Sequence, residues 1–405
     1  MNITKGDVQE LRRRLKKTEC TFGRLCGCYV NSGKQIVTKF TEQFSELEED
    51  EYYKYLEIAK KTFSGTLGAN LLELEFDRSD SGIEHQKYLL TLKDSKLANE
   101  ELLDRLYEQV IEEYSYPGNY LIVVYHDVYD VPSKATSGED QDESTELYAY
   151  CVCAVCPVEL AKPALGYKED ENRIGARERD WVVGLPDLGF VYPAFANRGS
   201  DVNAVMYYVK TGRPSHPEFI ENVLGCVAQR TAAEDKLAFK NVVHDAFGED
   251  EEQADAAFFQ MQKTISAMVA EREEDESLPP VELTAEAVSG LATEAEVPDS
   301  VRAQIEKSYE QVFGDQPPQA HNVLDSRLVE EGTVKAHTAA LEQKVAVLQQ
   351  ELAHQAANAA DTDEDDVPWE TGTVIDVRMP QERAVNVHTE VVEGQKCLVI
   401  PLAGD

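Results

Sequence analysis

The chain has 405 residues, enough for roughly two or three domains. Its 76 Asp and Glu outweigh 39 Lys and Arg, leaving a net charge of −37. That field repels phosphate backbones and anionic lipid, which argues against direct nucleic-acid binding and against a membrane surface. No apolar run reaches the length of a membrane span, and the charged, amphipathic start MNITKGDVQELRRRLKK lacks the apolar core of a secretory signal, so a cytoplasmic protein is expected.

Residues 4–17 predict a helix, with Thr4 and Asp7 at capping-box spacing and Leu11 and Leu15 four apart. Residues 1–40 hold nine basic side chains against three acidic ones, a basic arm expected to dock on the acidic body of its own chain. FGRLCGCYV and QIVTKFTEQF, joined by NSGK, predict a hairpin over 21–44; a helix follows at 48–63 with Gly65 near its stop. LLELEF (71–76) alternates as a strand, YLLTL (88–92) reads as another, and a helix is expected over 97–114. NYLIVVYHDVYDV (119–131) is the strongest strand, and its unbroken apolarity predicts burial on both faces. The polar insert SKATSGEDQDEST (133–145) reads as a hairpin tip, with ELYAYCVCAVCPVEL as the returning strand. The fold class is therefore α+β: a largely antiparallel sheet with flanking helices, a helical extension, and a smaller helical and β C-terminal region.

Residues 214–272 carry apolar side chains at three- and four-residue spacing and predict helices, closed by the linker EREEDESLPP. Two short helical patterns fill 281–318. A long helix is expected at 334–358, with Leu341, Val345, Leu348 and Leu352 spaced four and three apart. About two good heptads fall short of the three or four that define a coiled coil, so packing on its own domain and self-association both stay open. After the acidic run ADTDEDD, the end of the chain reads as three strands with a turn at 393–396. The expected divisions are an α+β domain over 1–212, a helical extension over 213–275, a linker and helical region over 276–366, and a small β region over 367–405.

Phosphate-loop, dinucleotide, zinc-protease and nucleophile-elbow motifs are all missing. Eight cysteines in a long chain without a signal read as reduced thiols. Strand alternation puts Cys26 and Cys28, and likewise Cys151 and Cys153, on one face each; a thiolate metal site is conceivable, but small buried hydrophobes are the favoured reading, and no cofactor is expected. His126 and Asp127 are adjacent in a strand and so should point to opposite faces, which argues against a catalytic pair. In the aromatic stretch 177–210, Arg179, Asp180, Trp181, Arg198 and Asp201 are candidates for a ligand pocket, with arginine as an anion ligand. The competing reading is an Arg–Asp pair that fixes loop geometry.

Several long stretches carry a family resemblance: CTFGRLCGCYV (20–30), KTFSGTLGANLLELEF (61–76), VCAVCPVELAKPALGY (152–167), RDWVVGLPDLGFVYPAFANR (179–198) and the closing VEGQKCLVIP. In these the chain resembles the bacterial domain of unknown function family 4317. The resemblance implies a bacterial cytoplasmic protein and transfers no activity or catalytic residue. A non-enzymatic binding or scaffold protein is the leading functional expectation. An enzyme or small-molecule-binding protein with its pocket around 179–201 is the alternative. An acidic nucleic-acid mimic, prompted by the charge alone, is the third.

Overall fold

The computed structural model describes residues 3–16, 19–134, 140–273, 280–314, 316–359, 388–392 and 395–399. In chain order the first elements are α1 (Lys5–Arg14), β1 (Arg24–Val30), β2 (Ile36–Gln43), α2 (Glu49–Lys61), β3 (Leu71–Glu75), α3 (Asp80–Asp94) and α4 (Glu100–Glu113). The long strands β4 (Asn119–Lys134) and β5 (Asp140–Leu160) follow, then β6 (Leu165–Lys168), β7 (Arg173–Ala176), β8 (Trp181–Val183), β9 (Leu188–Tyr192), β10 (Ala194–Ala196), β11 (Gly199–Asp201) and β12 (Ala204–Val209). A single turn, α5 (Pro217–Phe219), leads to α6 (Ala232–Phe247), α7 (Glu251–Glu273), α8 (Ala285–Glu294), α9 (Asp299–Phe313), α10 (Ala320–Val323) and α11 (Ser326–Ala359). The described chain closes on a hairpin of β13 (His388–Val392) and β14 (Gln395–Val399).

Seven strands pair antiparallel in the order β2-β1-β4-β5-β9-β12-β3, and β8 joins the end of β5 as an eighth. The alternation of β4 divides its side chains between two cores. Tyr120, Ile122 and Val124 pack with Cys26, Cys28, Cys153 and Phe190 beneath α3 and α4. Leu121, Val123 and Tyr125 pack with Tyr148, Tyr150, Phe44 and Phe63 beneath α1 and α2. A third apolar cluster, separate from the sheet, is built by α6 to α10 around Phe239, Met261, Ile305 and Tyr309. The chain divides into two compact units, Met1–Lys335 and Ala336–Asp405. No described helix is long and apolar enough to cross a membrane.

The capping box at Thr4 forms as the spacing demands: the Thr4 hydroxyl accepts from the Asp7 amide and the Asp7 carboxylate accepts from the Thr4 amide, a pair of contacts with a typical worth of about 1 kcal/mol. YLLTL lies inside α3, against the strand expectation. Ser79 caps that helix from outside the apolar run, and Tyr88, Leu89 and Leu92 form a three- and four-spaced stripe on the sheet. The polar insert is also shorter than expected as a loop, because the β4–β5 ladder continues past register shifts at Pro132 to Lys134 and Asp140. Of the three C-terminal strands expected, two are present; the first, TGTVIDVRM, lies outside the described residues.

Gly27 sits in β1 between two strands, where a Cβ would lie 2.6 Å from the Ile122 carbonyl oxygen of β4. Backbone cannot give way as a side chain does. Gly27→Ala is therefore expected to cost about 1–3 kcal/mol of overpacking, read from the urea midpoint; an unchanged midpoint would show that β1 and β4 slide apart freely.

Candidate functional site

Cys26, Cys28, Cys151 and Cys153 all point into the core under α3 and α4. Val124 pairs with Cys26 on one side and Cys153 on the other, so β4 stands between the two pairs of thiols. Two strand spacings make roughly 9–10 Å, whereas thiolates sharing a zinc sit about 2.3 Å from it. Burial pushes the Cys28 thiol up to about 12 and raises those of Cys26, Cys151 and Cys153, so these groups hold their protons. Among the described residues no group of three or more His, Cys, Asp or Glu is arranged to hold a metal.

The five candidates of the aromatic stretch fall in two places, one at the start of β8 and one on the β10–β11 hairpin. Arg179, Asp180 and Trp181 are exposed at the start of β8, where the Arg179 Nε donates to the Ala161 carbonyl at 2.6 Å. Arg198 and Asp201 belong to the β10–β11 turn. The Arg198 guanidinium donates to Glu10 at 2.9 and 3.2 Å and to the Pro132 carbonyl at 2.9 Å. Asp201 accepts from the Asn203 amide at 3.0 Å. Arg198 thus fastens the hairpin to α1, while Arg179 is engaged with the Ala161 carbonyl.

His126 and Asp127 point to opposite faces. Burial lowers the His126 pKa. Asp127, 1% exposed, accepts from Arg14 Nη1 (3.2 Å), Thr21 Oγ1 (2.7 Å), the Tyr150 hydroxyl (2.7 Å) and the Val128 amide (2.8 Å). Four donors saturate a carboxylate's acceptor sites, so this node is structural and has no capacity for a ligand.

A different place has capacity. A cavity of about 600 Å³ opens where the loop before β3 and the start of α6 meet the segment between α9 and α10. Gly68, Glu73, Arg230, Asp235, Gln319 and Asn322 carry its chemistry. The sequence builds each wall locally. Gly68 turns the chain with φ +77°, a conformation that side chains other than glycine rarely adopt. Thr231 and Glu234 form a capping box that starts α6 and buries Asp235 in its first turns. Backbone bonds from Ala320 to Val281 (2.7 Å) and from Leu283 to Pro318 (2.9 Å) clamp the Pro317–Pro318 segment that delivers Gln319 and Asn322.

Three polar atoms converge opposite Gly68: a Cβ there would lie 3.7 Å from His321 Nε2 and 3.8 Å from both Asn322 Oδ1 and Gln319 Oε1. Asn322 is 7% exposed, and its Oδ1 is buried with no hydrogen-bond partner. Its amide bonds Asp235 in a way that favours the ionised carboxylate, so the nitrogen donates there and the oxygen is left over. An orphaned buried acceptor costs about 1–3 kcal/mol. Burial raises Asp235 to about 6, with Glu234 adding to the rise and Arg230 opposing it. Burial likewise raises Glu73, whose carboxylate accepts from the Ile3 amide at 2.8 Å. Arg230 is engaged by the scaffold, donating to the Val312 carbonyl and lying 5.1 Å over the Phe313 ring.

None of these residues was singled out in the sequence. The only local signals were the second glycine of SGTLG and the polar run QPPQAHN after a proline pair; neither carries a ligand-binding spacing.

The fold and the cavity define an α+β protein with a polar, acceptor-rich cleft beside the edge of an antiparallel sheet. The chain belongs to the domain of unknown function family DUF4317, whose model matches residues 1–405. No curated protein and no solved structure matches it.

Asp235 gives the cleft a pH signature. Its folded pKa lies above the ordinary 3.8, so between these values the folded state binds the extra proton and stability falls as pH rises. Between pH 5 and 7.5 this group is expected to remove about 1–1.5 kcal/mol. Asp235→Asn should lose that slope in urea unfolding, and an identical slope in variant and parent would show that Asp235 titrates as a free carboxylate.

Proposed function

We propose that the protein is a non-enzymatic binding protein that takes a small polar molecule into the cleft beside Gly68. The observation that carries this reading is the Asn322 side-chain oxygen, buried in the cavity wall without a partner. A buried acceptor is normally satisfied, and a ligand donor would satisfy this one. The volume suits a small organic molecule, since such sites span about 300–1,000 Å³. Binding is favoured over catalysis because two of the three polar atoms opposite Gly68 are amide oxygens, acceptors that take no proton near neutrality. A bacterial cytoplasmic setting agrees with the family resemblance and with the seven unpaired cysteines of the described residues.

Thermal-shift measurement against a panel of polar metabolites at millimolar concentration tests the reading. At least one member should raise the melting temperature by several degrees, and Asn322→Ala, with its own unliganded melt as reference, should abolish that shift. A panel without effect, or a shift that survives in the variant, would remove the cleft as the site.

A second reading concerns α11. Leu341, Val345 and Leu348 of the expected seam are 49%, 52% and 56% exposed, so a self-matching four–three stripe is available to a second copy of the chain. We infer self-association through 334–358. Sedimentation velocity should show a dimer that Leu341→Glu with Leu348→Glu returns to monomer; a parent chain that stays monomeric at 100 μM (about the upper working range) would end this idea.

A further inference from the structure

We propose that the molecule bound in the cleft is a small organic cation, carrying an ammonium or guanidinium group on a polar body. The inference rests on the reading of this cleft as a ligand site and concerns the chemistry of its occupant. Charge comes first. Among the described lining residues the carboxylates Glu73 and Asp235 stand against one arginine, Arg230. Arg230 is already held by the Val312 carbonyl and the Phe313 ring, so it faces Asp235 as a partial counter-charge and not as a free anion ligand. Burial raises the Glu73 pKa, the Ile3 amide and the N-terminal ammonium oppose the rise, and Asp201 and Glu75 add to it. Burying such a group is costly unless a positive charge joins it.

Polarity of the individual atoms points the same way. The corner opposite Gly68 presents Asn322 Oδ1 and Gln319 Oε1, both acceptors, beside His321 Nε2, with the Asp235 carboxylate behind Asn322. Acceptors of this density suit a group made only of donors, as ammonium and guanidinium are. An anion would meet them lone pair to lone pair. Among the described residues no group of three or more His, Cys, Asp or Glu is arranged to hold a metal ion. The cavity, at about 600 Å³, also exceeds what a single ion fills. The neutral amides of Gln229, Gln316 and Gln319 along the wall add hydrogen-bonding sites for a hydroxylated or amide-bearing body.

Isothermal titration calorimetry on the full chain tests this with probes of similar body and different charge: glucosamine, glucose and glucuronate, with 1,4-diaminobutane, agmatine and potassium chloride alongside. At pH 7.5 at least one organic cation should bind, and glucose, glucuronate and potassium should not. Because Asp235 loses its charge below about pH 6, affinity should fall about tenfold at pH 5. Glu234, Arg230 and Tyr309 also face Asp235, and His321 faces the corner, so the pH comparison is repeated in Asp235→Asn, which should bind weakly and without the tenfold step. Glu73→Gln supplies an independent loss of affinity should Asp235→Asn fail to fold. Binding of glucose or glucuronate but no cation would overturn the charge inference while leaving the cleft as a ligand site. Absence of all binding would overturn the inference too, and the metabolite panel with Asn322→Ala then decides the site separately.

Discussion

β4 and β5 pair from Asn119↔Val158 outward, and side chains of both parities are buried along their shared central stretch. A strand pair covered on both faces has no solvent side on which to place a charge, so any ionisable group in it must find its partners inside the protein. Asp127 is such a group. It lies at the point where the helix-covered sheet would otherwise hold an uncompensated carboxylate, and Arg14, Thr21 and Tyr150 converge on it. This requirement fixes where α1 must end, since Arg14 occupies its last turn. The neighbouring contacts extend the same logic: Arg14 covers the Tyr129 ring at 3.8 Å, Tyr129 donates to Glu10, and Glu10 holds Arg198 of the β10–β11 turn. The basic N-terminal arm is thus drawn onto its own acidic body by one buried charge.

Much of this was legible in the sequence. Alternation and unbroken apolarity in NYLIVVYHDVYDV marked the strand that both cores share, and the Thr4–Asp7 spacing marked the start of α1. The YLLTL misreading shows where local pattern stops informing. Five apolar-rich residues fit a strand and a helix equally well, and the deciding feature was Ser79, nine residues upstream. The cleft was not legible for a different reason. Its groups come from the loop before β3 and that strand's first residues, from the start of α6 and from the segment at 316–322, and each is unremarked in its own stretch: a turn glycine, a helix-start aspartate, an asparagine after prolines. Only their convergence has chemical meaning, and convergence is set by tertiary packing that no spacing records.

Why the cleft lies where it does follows from the sheet's last strand. β3 closes the order β2-β1-β4-β5-β9-β12-β3, so one of its edges has no strand partner. An open edge invites pairing with another chain and has to be covered. The segment after α5 does this: Cys226 bridges Phe76, the Val227 amide donates to the Glu75 carbonyl at 3.0 Å, and the Gln229 side chain donates to the Glu73 carbonyl at 3.0 Å. At Arg230 and Thr231 the covering chain must turn away to begin α6, because the Thr231 cap fixes that helix's entry. Beyond this point the edge of β3 is no longer shielded by hydrogen-bonded backbone but faces the Pro317–Asn322 segment across the cavity. The gap is therefore a consequence of covering a sheet edge with a chain that has to leave it. Lining such a gap with apolar side chains would have closed it as core. Glu73, Asp235 and Asn322 keep it polar, at the cost of two carboxylates raised by burial and one acceptor without a partner. Asp127, 1% exposed, has its acceptor sites filled by donors of its own chain, whereas the cavity wall keeps the Asn322 oxygen without a partner, and that contrast is what the proposed ligand would remove.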